Sequence, residues 1–61
     1  MTEEERQAEA QREAIMAEIR QRTAALLDYL GENVPANPIR SRAIDLVLEA
    51  DMLARRALFG G

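Results

Sequence analysis

Asp45 and Glu49 are carboxylates one helical turn apart, a spacing that could serve acid–base work or hold a hard cation. Arg42 and Arg56 fall on the same strip, so ordinary pairing of surface charges is the better explanation of all four. The other chemistry-bearing side chains are mostly arginines: all eight basic residues are Arg. A guanidinium presents a planar fork of donors that suits carboxylate or phosphate. The chain has no His and no Cys. A nucleophile–His–acid set, a thiolate metal site and a disulfide are therefore excluded. There is no glycine-rich phosphate loop. These residue types predict no catalysis, no metal and no cofactor. Tyr29, one of two aromatics, could stack on a nucleobase. The favoured reading places it at a core edge with its hydroxyl in water.

Two helices must position these groups. Thr2-Glu3-Glu4-Glu5 is a helix start: Thr2 caps, Glu5 completes a capping box, and three acids face the positive helix end. Residues 3–30 hold no Gly or Pro and many Ala, Glu, Gln and Arg, all good helix formers. Up to Glu13 the apolar residues are alanines, which predicts a solvated extension. From there Ile15, Ile19, Leu26 and Leu30 form a stripe, with Met16, Thr23 and Leu27 beside it. Glu18 and Arg22 stand in the favourable i,i+4 order. Gly31 is read as the stop. The connection 31–37 contains Pro35 and Val34, the latter placed to plug the closed end of a hairpin. Asn37 caps the second helix, with Pro38 in its first turn. That helix is expected over 38–59, closed by Gly60-Gly61, with Arg55 and Arg56 complementing its negative end and Asp51–Arg55 as an i,i+4 pair.

The second helix has two apolar arcs. One carries Ile39, Ala43, Leu46, Val47, Ala50, Leu53, Ala54 and Ala57; the other carries Ile44, Leu48, Met52 and Phe59. Arg42, Asp45, Glu49 and Arg56 make a polar strip, and Arg40, Asp51 and Arg55 a mixed flank. A hairpin's second helix needs one apolar face, so two imply a second contact. The competing arrangement is a wide stripe wrapped around one longer partner. The fold expected is all-α: a single domain, 1–61, forming an antiparallel two-helix hairpin that assembles into a homo-oligomeric helical bundle.

A chain of 61 residues buries too little surface to be comfortably stable alone. Without disulfide or thiolate site, oligomerisation is the expected source of stability. The net charge of −3 argues against wrapping duplex nucleic acid, where dense positive charge dominates affinity. No apolar run approaches the roughly 20 residues of a membrane span, and the TEEER start is not a signal peptide. The expected location is the cytoplasm.

Residues 12–59 resemble the phage anti-CBASS sponges, small helical hairpins that sequester cyclic oligonucleotide immune signals, and the similar hairpin attached to a related anti-Thoeris sponge. The resemblance is carried by Pro35, the Asn37 cap, Ala43, Glu49-Ala50, Met52, Ala54 and Ala57-Leu58, with Ile19-Arg20 sixteen residues before Pro35. Leu53 replaces the family's usual aromatic. Asn37-Pro38-Ile39 replaces a Ser-Arg-Glu step, with Arg40 and Arg42 nearby. TEEER stands where better-known members have a short aromatic segment. The resemblance implies a non-catalytic, hexameric assembly in an infected bacterial cell, holding cyclic di- or trinucleotides or related signals between protomers. Its implied ligand residues are Arg20, matched by position, then Arg22 and Thr23 close to it, and Arg40 beside a helix N-terminus. A symmetric oligomer multiplies one Arg into a ring that can meet the phosphates of a cyclic ligand. The alternative, from another class, is a hairpin assembly or adaptor module that forms a four-helix bundle with itself or a partner protein.

Overall fold

The computed structural model describes residues 2–60. Met1 of the expected 1–61 domain, and Gly61 of the closing glycine pair, lie outside them. The described residues form two α-helices and no strand: α1 over Glu3–Asn33 and α2 over Pro38–Phe59, antiparallel and joined by a four-residue turn.

The caps that the sequence marks are formed. Thr2 is extended and its hydroxyl oxygen accepts the Glu5 N–H at 3.2 Å; the same hydroxyl donates to Glu5 Oε1 at 3.1 Å. Asn37 is extended and its side-chain oxygen accepts the Arg40 N–H at 2.9 Å, with Pro38 in the first turn. Gly60, at φ 77°, ends α2 and donates its N–H to the Arg56 carbonyl. Among the described residues Gly60 is the one with positive φ.

Gly31 does not stop α1. The helix runs through it to Asn33, so the connection is 34–37 rather than 31–37. The physical stop lies at Val34, held extended at φ −103° and ψ 131°. Pro35 disfavours helical geometry in the residue before it, so the helix ends there whatever occupies position 31. The last carbonyls then find donors. Val34 N–H meets the Leu30 carbonyl at 3.0 Å, and Asn33 Nδ2 meets the Tyr29 carbonyl at 2.9 Å. Arg40 Nη1 reaches back from α2 to the carbonyls of Val34, at 3.0 Å, and Gly31, at 3.3 Å.

The seam between the helices also differs from the expected arcs. On α2 the half-buried residues are Arg40, Ala43, Ile44, Val47, Asp51, Ala54 and Leu58. Ala43 aside, which flanks Ile44, their alternating spacing of four and three is that of a coiled-coil stripe. Met16, Ile19, Thr23, Leu27 and Leu30 face them from α1, and among the described residues Met16 alone is fully buried, at 4% exposure. The two arcs read from sequence are therefore the flanks of the seam: Ile39, Leu46 and Leu53 on one side, Leu48 and Met52 on the other, all exposed. The polar identities of Arg40 and Asp51 hide the true centre line.

The molecule is a slab 50 × 20 × 8 Å, one helix thick. Its radius of gyration is 15.0 Å, against about 10–11 Å for a compact domain of this length. α1 outruns α2 at its acidic start, where residues 2–8 are exposed. No helix among the described residues is long and apolar enough to cross a membrane.

Candidate functional site

Two antiparallel helices turn in the same sense away from their seam, so each broad face of the slab draws residues from both. Stepping about 100° per residue from the seam centre, one face receives Arg20 from α1 and Leu48, Met52, Arg55 and Phe59 from α2. This face is hollowed. A depression of about 420 Å³ lies between Met16, Ala17 and Arg20 on one side and Arg55 and Phe59 on the other. A second of about 600 Å³ continues along Leu48, Asp51 and Met52. Arg20 and Arg55 line both, so the two hollows are read as one groove with a pair of guanidinium groups at its middle.

The groove is mixed in charge. Glu13 borders its first part, and Asp45, Glu49 and Asp51 its second. Among the described residues the ion pairs are Arg6–Glu3 at 2.8 Å and Arg22–Glu18 at 3.4 Å. Arg20 and Arg55 therefore make none there, and the expected Asp51–Arg55 pair is not formed. Arg55 instead lies over the Phe59 ring, its Cζ 5.5 Å from the centroid. A guanidinium held by its face keeps the N–H groups of its edge available, the geometry that grips a phosphate through two donors. Asp51 Oδ1, buried in the seam at the groove floor, has no hydrogen-bond partner.

The four residues named from sequence fall in different places. Arg20 lines the groove. Arg22 projects from the opposite face, 80% exposed and paired with Glu18. Thr23 is half-buried in the seam. Arg40 is half-buried at the turn, where its side chain holds α1's last carbonyls. A residue occupied in this way is not offered to a ligand, and the N-terminus of α2 is already capped by Asn37. Arg55 and Phe59, which complete the groove, were read from sequence as a helix-end charge and an apolar-arc residue. Their i,i+4 spacing was the available signal. Their meeting with Arg20 depends on the register between the two helices, which no local pattern encodes.

Asp45 and Glu49 stand at the rim of the same groove. Among the described residues no group of three His, Cys, Asp or Glu side chains is arranged to hold a metal ion. Comparison with protein-family models, with curated proteins and with solved structures finds no match.

Proposed function

We propose that this hairpin is a non-catalytic binding protein that sequesters cyclic di- or trinucleotides or related signals, in the manner of the phage sponges that residues 12–59 resemble. The observation that carries the reading is the Arg20–Arg55 groove. It offers two guanidinium groups without ion-pair partners among the described residues, an aromatic ring and an apolar wall. A cyclic oligonucleotide carries phosphodiesters for the first and bases for the other two. Each hollow, at about 420 Å³ and about 600 Å³, falls in the range of small-ligand sites, about 300–1000 Å³.

The residue types favour sequestration over turnover. No His or Cys is present to act as base or nucleophile. A bound phosphodiester would leave as it came. Retention on a size-exclusion filter tests this directly: a cyclic dinucleotide or trinucleotide should be held by the protein and recovered intact after heat denaturation. Recovery of cleaved nucleotide would reject sequestration, and no retention of any panel member would leave the assembly-module reading in its place.

A further inference from the structure

Asp51 interrupts the seam where the fold gains nothing from it. Its neighbours along the half-buried stripe of α2 are Ile44, Val47, Ala54 and Leu58, all apolar. Asp51 Oδ1 is buried and has no hydrogen-bond partner. Among the described residues one other side chain holds such an atom, Arg40 at its Nε, but that guanidinium is anchored at the turn through Nη1. Asp51 has no such anchor and makes no ion pair among them. A carboxylate oxygen left in this state lowers stability. Polar groups kept at such a cost mark functional sites.

Asp51 also lines the second hollow of the groove. Arg55 lies one turn further along α2, the spacing at which Asp and Arg ordinarily pair. It lies over the Phe59 ring instead, with its Cζ 5.5 Å from the centroid. Opposite charges therefore line one groove without neutralising each other. Arg20 and Arg55 border both hollows; beyond them the first has Glu13 as its acid, and the second has Asp45, Glu49 and Asp51. The end at Phe59 favours an anion. The end at Leu48 and Met52 favours a flat apolar group whose edge donates hydrogen bonds.

Among the nucleobases guanine meets that description best. Its N1–H and 2-amino group stand side by side and point the same way, two donors for the two oxygens of a carboxylate. Adenine and cytosine set a ring-nitrogen acceptor beside their amino group, and uracil flanks its N–H with two carbonyls. Each of these turns a lone pair towards the carboxylate. The Cβ–Cγ torsion of an aspartate is soft, so a modest turn presents both oxygens. We propose that Asp51 reads guanine, so that the groove selects cyclic nucleotides carrying a guanine base over those without one. This rests on the reading of the groove as a cyclic-nucleotide site and adds which base it holds.

Isothermal titration of the unaltered chain with cyclic di-GMP, cyclic di-IMP, cyclic di-AMP and cyclic di-UMP provides the test. Hypoxanthine, the base of cyclic di-IMP, differs from guanine by the missing 2-amino group alone. Cyclic di-GMP should bind at least about tenfold more tightly than each of the others. Asp51→Asn should erase that preference, because a carboxamide meets adenine as well as guanine. The ligand comparison needs no variant, so it decides the matter even if Asp51→Asn fails to fold. Equal affinity for cyclic di-GMP and cyclic di-IMP overturns the guanine assignment and leaves the sequestration reading standing. So does a guanine preference that persists in Asp51→Asn. Failure of all four to bind overturns the assignment as well, and retention of a cyclic trinucleotide then decides whether sequestration falls with it.

Discussion

Arg40, in the first turn of α2, donates through Nη1 to the Val34 carbonyl at 3.0 Å and so closes the hairpin from the inside. The same nitrogen reaches the Gly31 carbonyl, and the Arg40 backbone N–H is held by Asn37. One residue thus joins the end of α1 to the start of α2. Its guanidinium also meets the negative pole of α1, where the last turn has no basic residue of its own. Hydrogen bonds from a charged donor are worth about 1.5–3 kcal/mol each when part-buried. Arg40→Ala should therefore lower stability by about 2 kcal/mol. Urea or thermal unfolding monitored by circular dichroism checks this; an unchanged midpoint would show that the turn does not need the clamp.

Gly31 sits within α1 with open space where a Cβ would stand, and without positive φ. Gly31→Ala should stabilise the protein by about 0.5–1 kcal/mol, because alanine loses less entropy in a helix. Gly60→Ala should act in the opposite direction, since its φ of 77° is strained for an L side chain. A cap role for Gly31 would reverse the sign of the first result.

These two glycines show which parts of the fold could be read locally. Thr2, Asn37 and Pro38 act through neighbours a few residues away, and both helix starts fall where the sequence puts them. Gly31 looked like a stop because glycine usually is one, yet the constraint comes from Pro35 acting on Val34. The hairpin itself was legible; its inward face was not. Arg40 and Asp51 lie on the seam's centre line, so the most apolar arcs of α2 mark its two sides. For the groove, Arg20 was reached through the position of Ile19-Arg20 before Pro35. Arg55 was not, because its relation to Arg20 is set by the register of the packed helices.

Among the described residues Met16 is the single fully buried side chain. It packs near the open end of the hairpin and forms the floor of the groove beneath Arg20 and Phe59. Met16→Ala should cost about 2 kcal/mol, the low end for buried large-to-small changes, because a slab this thin can relax around the gap. Chemical denaturation measures it; a loss below a few tenths would mean that the seam carries little of the stability.

Asp51 places a carboxylate oxygen, buried and without a partner, between Val47 and Ala54. Leaving a polar group in this state costs about 1–3 kcal/mol. Asp51→Leu completes the apolar stripe and should raise the unfolding midpoint. A lower midpoint would indicate that Asp51 gains a partner in the assembled protein.

The groove is the centre of the functional account, and isothermal titration of cyclic di- and trinucleotides tests it most directly. At least one ligand should bind with submicromolar affinity. Arg20→Ala and Arg55→Ala should each weaken that ligand by at least about tenfold, equivalent to 1.4 kcal/mol, while the sedimenting mass stays the same. A flat titration across the panel, or full affinity in both arginine variants, would contradict the account.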